Sequence, residues 1–210
     1  MNKRVFPAFF VEKIQMLHIL ILGDSMLSKK RKKVSKTEQK VFSSISKKLA
    51  NIDEELAIEY LSWLDKKTTY FRSSVEKSGY GAQPDQLKRG DIVWVEFGIN
   101  VGTELSDYKT KGHYALVWAI DLGNVIVIPL SSRDAPGSEM TFDIGVIKEL
   151  NYGLESETHS YLKLDAIRSI SKRRVSRMSG FEHGKISLSD EMISLVSKVI
   201  EITFLKEKDI

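Results

Sequence analysis

At 210 residues and 42% hydrophobic, the chain is long enough for one large or two small domains with a real core. It contains no cysteine, which excludes a disulfide framework and a thiolate metal site and suits a reducing cytoplasm. Its four histidines include no pair at i,i+4 spacing, so no zinc ligand set stands out, and neither a metal nor another cofactor is expected.

The net charge of +4 is small but unevenly placed. Residues 1–85 carry 16 Lys and Arg against 10 Asp and Glu, whereas residues 86–210 carry 16 against 18. Much of the excess lies in Lys29-Lys30-Arg31-Lys32-Lys33, a run that reads either as a solvated tail or as a nucleic-acid contact. Residues 5–22 are apolar, but Glu12, Lys13, Gln15 and His18 interrupt them short of the ~20 residues a spanning helix needs. No membrane segment is therefore expected. Phe6, Phe10, Ile14, Leu17 and Ile21 recur at helical spacing, and Met26 is an alternative start. Residues 1–34 thus read as a poorly ordered or amphipathic basic leader.

From Ser35 the pattern is helical, giving a helical extension over 35–80. Val41, Ile45, Leu49, Ile52 and Leu56 form one stripe. Asn51 or Asp53 caps a second helix with Glu54 and Glu55 in its first turn, and Gly79, Gly81 and Pro84 end the segment. Such a stripe has to pack on the C-terminal domain, on its own hairpin partner or on a second chain, and a scaffolding role is favoured over an inhibitory one.

After Pro84 the grammar changes to strands. Asp91–Phe97, Tyr114–Ile120 and Val125–Leu130 are near-continuous apolar runs, as expected of strands buried on both faces. Asp121-Leu122-Gly123-Asn124 reads as a hairpin connection between the last two. Thr158–Leu164 alternates, and Ile167–Val175 reads as one further, basic strand. A closing helix starts near Asp190 with Ser189 as N-cap and a stripe of Ile193, Val196, Ile200 and Phe204. His159 and His183 carry no motif and read as surface or core residues.

Four segments in order resemble the MazF/PemK/Kid toxins. Leu87-Lys88-Arg89-Gly90-Asp91-Ile92-Val93-Trp94-Val95 is similar to their opening strand, and Gly102-Thr103-Glu104 to the G-x-E loop after it. Ile128-Pro129-Leu130-Ser131-Ser132 is similar to their third strand end, and Leu164-Asp165-Ala166-Ile167-Arg168-Ser169-Ile170 to a later segment that precedes a basic stretch and a helix. The resemblance covers about residues 87–205, a domain placed at 86–208. It implies an α+β fold, a small SH3-like barrel with a C-terminal helix, here preceded by the helical extension. It also implies a cytoplasmic homodimer, a cognate antitoxin, and metal-independent cleavage of single-stranded RNA through the 2′-OH to a 2′,3′-cyclic phosphate.

In the family an Arg heading the second strand and a Ser or Thr ending the third carry much of the chemistry. His113 and Ser131 hold those positions, with Ser132 adjacent and Glu104 in the loop. An imidazole titrates near neutrality and so suits proton transfer better than Arg, but it is a poorer permanent cation. Lys111 restores charge nearby, and Arg168, Lys172, Arg173, Arg174 and Arg177 are the expected phosphate contacts. If 167–175 is one strand, Arg168 and Arg174 share a face. Ala166 replaces the usual Gln, which puts inherited sequence specificity in doubt. Two rivals stay open: a non-catalytic RNA- or protein-binding module on the same barrel, and a CcdB-like gyrase inhibitor.

Overall fold

The computed structural model describes residues 25–108, 112–151, 153 and 155–205; the apolar stretch 5–22 and Lys111 lie outside them. Two compact units divide the chain, one ending at Ala57 and the other starting at Ile58. Helix α1 spans Ser25–Leu49. It begins well before Ser35, so the backbone of Lys29–Lys33 is helical rather than a tail, as the helix propensity of Lys and Arg allows. Val41, Ile52 and Leu56 of the expected stripe are exposed, and Ile45 and Leu49 are half-buried. Helix α2 spans Glu54–Val75. Asp53 is its cap, with Oδ1 accepting the Leu56 amide at 3.1 Å.

Within the second unit, the part of α2 from Ile58 onward lies on the sheet. The Trp63 indole occupies the space where a side chain at Gly98 would be. The Lys66 ammonium and the Tyr70 hydroxyl each donate to the Glu96 carboxylate at 2.5 Å. Burial pushes the Tyr70 phenol up, and the hydrogen bond to Glu96 pushes it further. An amphipathic helix does need such a partner, and here the sheet supplies it.

The strands are β1 (Asp91–Val95), β2 (His113–Asp121), β3 (Asn124–Ser131), β4 (Thr141–Val146), β5 (His159–Lys163), β6 (Arg168–Ser171), β7 (Val175–Ser176) and β8 (Ile186–Ser187). All pair antiparallel, along the path β4-β5-β3-β2-β1-β7. In addition, β6 lies on β3 and β8 on β1. The β2–β3 hairpin closes at the pair Asp121–Asn124, leaving Leu122 and Gly123 in the turn, with Leu122 at φ 46°.

The basic stretch is not one strand: a 3-10 turn at Lys172–Arg174 separates β6 from β7. In the order β6-β3-β2-β1-β7 those two strands sit on opposite margins. A flat sheet would hold them about 19 Å apart at ~4.8 Å per strand. The turn between them advances only about 2 Å per residue, so the sheet coils until its margins approach. No ladder joins β6 to β7, and the path ends at β4 and β7. The observed architecture is thus a mixed helical and open antiparallel fold, without the hydrogen-bonded closure a complete barrel has.

Both sheet faces are buried, which explains the continuous apolar runs. Val93, Val95, Ala115, Val117, Val125 and Val127 form one cluster with Phe97, Ile170 and Val175. Ile92, Leu116, Ile128 and Leu130 point the other way, into a cluster with Val196 and Val199. These last two belong to helix α3 (Asp190–Phe204), whose cap is Ser189, accepting from the Met192 amide at 3.3 Å. The inward face centres on Val196 and Val199, with Met192 and Ile200 beside them, while Phe204 is exposed. Asp91, at 0% exposure, anchors the start of β1. It accepts from the Lys88 amide, the Lys185 ammonium and the Ser187 hydroxyl, each at 2.7 Å.

Gly98→Ala is expected to lower stability by about 1–3 kcal/mol, because Gly98 combines a φ of 71° with direct contact to Trp63. Gly81→Ala, with open space around it, stays within about 0.5 kcal/mol of the parent. Urea midpoints check both, and equal midpoints for the two variants would contradict the packing of α2 on the sheet.

Candidate active site

A cavity of about 870 Å³ opens on one side of the sheet. Gly112, His113 and Tyr114 form its β2 side, Leu130–Arg133 follow from the end of β3, and Asn151 and Thr158–Ser160 form the opposite wall. A second cavity of about 280 Å³ lies between α2 and the segment after β1, bounded by Ile58, Trp63 and Ile99. Its Lys66 and Glu96 are already paired with each other. The larger cavity is the one that gathers imidazoles and hydroxyls.

His113 is the first residue of β2 and pairs with Val95. Its Nδ1 lies 2.5 Å from Asp107 Oδ1. Asp107 is 5% exposed, and its Oδ2 accepts the Gly98 amide at 2.6 Å. Both carboxylate oxygens are therefore committed within the protein itself. An imidazole held by a carboxylate at Nδ1 presents Nε2 to its ligand, with tautomer and orientation fixed.

Ser131 ends β3 opposite Tyr161. Its hydroxyl accepts from the Arg133 amide at 2.9 Å and donates to the Arg133 carbonyl at 3.1 Å, a local turn that fixes the loop. One acceptor lone pair then remains to the oxygen. Ser132 is exposed on the same rim. Glu104 is exposed and does not line the cavity; its amide closes a turn on Val101 at 3.2 Å. Residues 109–111 are outside the described residues, and Lys111 with them.

The structure brings none of the other five expected phosphate contacts to the cavity wall. The Arg174 guanidinium donates to the carbonyls of Glu96 (2.6 Å) and Phe97 and stacks 5.2 Å from the Trp63 ring. Arg173 holds the end of α2 through Ser73, Ser78 and Gly79, with the Tyr80 ring 4.5 Å away. Arg177 pairs with Asp85 at 2.7 Å, and Lys172 caps the Leu122 carbonyl at 2.8 Å. Arg168 bonds the Ala166 carbonyl at 3.4 Å and lies 5.3 Å from the Phe97 ring. The 3-10 turn dissolves the shared face that an uninterrupted strand would give Arg168 and Arg174.

Residues 88–204 match the family described as the PemK-like, MazF-like toxin of type II toxin-antitoxin systems. The chain belongs to that family. No curated protein matches it. Within the matched span, His113 stands where the resemblance drawn from the sequence expects Arg. Among the described residues, no group of three or more His, Cys, Asp or Glu converges to hold a metal, and no helix is long and apolar enough to cross a membrane.

Arg133 and His159 line the cavity as well, and neither carries a motif in the sequence. His159 begins β5, and its Nδ1 lies 2.7 Å from Asp143 Oδ2. Asp143 Oδ1 accepts the Gly145 amide at 2.7 Å. The facing loop is pinned by Asn151, which bonds the Ile147 and Thr158 carbonyls and the Thr158 amide. Alternation marks His159 as outward-facing, but only the nonlocal pairing of β5 with the end of β3 turns that face toward Ser131.

The Gly145 amide, and after it the His159 ring, hold the Asp143 carboxyl below the usual carboxylate range. A depressed folded-state pKa contributes stability above the unfolded value, and that contribution is lost as pH falls through the folded one. NMR titration should therefore find Asp143 ionised below the ordinary Asp midpoint of about 3.9. A normal midpoint would mean that the Gly145 and His159 hydrogen bonds to Asp143 do not persist in solution.

Proposed function

We propose that this PemK-like toxin is a metal-independent endoribonuclease that cuts single-stranded RNA at the large cavity. The observation that carries the reading is the buried Asp107 orienting His113 in the cavity that also holds Ser131. Cleavage through the 2′-OH needs a base, an acid and donors for the developing phosphorane charge. The His113 imidazole is able to move a proton at Nε2, the Ser132 hydroxyl and Arg133 on the same cavity wall supply donors for a phosphate, and Ser131, whose hydroxyl proton goes to the Arg133 carbonyl, holds that loop in place. The O2′–P bond forms, the P–O5′ bond breaks, and the products carry a 2′,3′-cyclic phosphate and a 5′-hydroxyl. The cognate antitoxin would then cover this cavity in a cytoplasmic homodimer, and the coiled sheet stands for the family's SH3-like barrel.

One observation favours a second reading, a binding module without turnover. Arg173, Arg174 and Arg177 are bonded to groups of the chain itself, which leaves less fixed cation for RNA than the sequence suggests. Along α2, no residue of 58–75 lines the cavity, which supports scaffolding over restraint for that helix.

The test is long single-stranded RNA incubated with the protein in EDTA. Cleavage with cyclic-phosphate ends is expected. His113→Ala should be slower by about 10²-fold or more, the usual size of an acid–base contribution. His113→Arg should retain measurable activity, because Arg also offers Asp107 a cationic partner. Cleavage only after addition of a divalent metal overturns the mechanism, and intact bound RNA favours the binding module.

A further inference from the structure

His113 is not the only imidazole in the cavity held by an aspartate. On the opposite wall, His159 Nδ1 meets Asp143 Oδ2 at 2.7 Å. The two pairs are built alike. In each, one carboxylate oxygen accepts the amide of a glycine in the left-handed region, Gly98 at φ 71° and Gly145 at φ 80°. The other oxygen holds Nδ1, which leaves Nε2 as the nitrogen for a ligand. Gly145 sits where the β4–β5 register shifts, between the pairs Asp143–Tyr161 and Val146–His159, so a bulge aims the carboxylate.

Stability does not account for the second pair. The His159 and Asp143 side chains are 51% and 44% exposed, and an ion pair in that setting contributes little. Exposure does suit proton exchange with solvent between turnovers. The groups facing His159 are Asp143, the Tyr161 ring at 6.3 Å and, around the same cavity, His113 and Arg133.

Resting on the RNA-cleaving reading above, we propose that His159 is a second catalytic residue, and that His113 and His159 divide the two proton transfers at one phosphodiester. One enters neutral and takes the 2′-OH proton as the O2′–P bond forms. The other enters protonated and gives its proton to O5′ as the P–O5′ bond breaks. After a turnover the two have exchanged protonation states, and solvent restores them. Asp143, like Asp107, is a positioning residue.

The experiment compares the parent, His113→Ala and His159→Ala on one RNA oligonucleotide and on its analogue with sulfur replacing the bridging O5′. A thiolate leaves without protonation, so the sulfur substrate removes the need for the acid. His159→Ala should slow the oxygen substrate by about 10²-fold or more. One of the two alanine variants, and not the other, should recover on the sulfur substrate, and each should lose one limb of the parent's bell-shaped pH profile. His159→Ala at parental rate overturns the proposal. So does a slow His159→Ala when sulfur rescues neither variant and both pH limbs persist. Asp143→Asn provides a second route, with a smaller loss expected and parental activity counting against the proposal. Failure of the parent to cut any RNA is a different result, because it removes the nuclease reading itself.

Discussion

A carboxylate taken out of water needs donors on its oxygens, because the lost hydration is worth several kcal/mol. Three such groups follow one another along β1 and the segment after it. Asp91 collects the Lys88 amide, Lys185 and Ser187, which ties β1 to β8. Glu96 collects Lys66 and Tyr70, which ties the end of β1 to α2. Asp107 collects the Gly98 amide and His113, which ties the following segment to the head of β2. Asp91, on β1 itself, does not tolerate slippage, since a shift by one residue would turn its carboxylate away from its donors. The apolar clusters supply the driving force for folding, and these acids set the register in which it acts.

The cations tell the complementary story. A coiled sheet leaves carbonyls at its margins without ladder partners, and buried carbonyls need donors as much as carboxylates do. Arg174 sits in the 3-10 turn that joins the two margins, and its guanidinium bonds the Glu96 and Phe97 carbonyls just past the end of β1. A planar fork of donors suits that position better than a lysine would. The basic stretch therefore acts as a clasp for the coil, and its charge count alone overstates what remains for a polyanion.

Much of this was legible in the sequence because it is local. Ser189 caps the closing helix as expected, Asp53 is the one of the two cap candidates that caps α2, and the β2–β3 hairpin turns within the expected Asp121–Asn124 connection, at Leu122-Gly123. Unbroken apolar runs reported strands with two buried faces. What escaped depended on contacts distant in sequence. Residues 167–175 look like one strand until the sheet must coil, and only then does a turn at Lys172–Arg174 become necessary. His159 is on the surface as the sequence allows, and only the pairing of β5 beside Ser131 puts that surface in the cavity. The inward face of α3 rotated toward Val199 for the same kind of reason, since the sheet beneath it decides which stripe is covered.

The exchange of Arg for His at position 113 makes physical sense only together with its surroundings. An arginine keeps its charge through the whole reaction and stabilises the phosphorane by that charge alone. An imidazole gives that constancy up and gains the ability to carry a proton, provided something fixes its tautomer. Asp107 does so from a buried position that neither solvent nor substrate easily disturbs. On the proposed mechanism a proton carrier on one wall calls for a second group to complete the exchange, and the opposite wall presents an imidazole held in the same manner. Under that proposal the unequal burial of the two pairs has a use: the sheltered one keeps its orientation from its partner, and the exposed one keeps its contact with water. A site of this kind depends less on fixed positive charge, which fits a chain in which Arg173, Arg174 and Arg177 are bonded to its own groups.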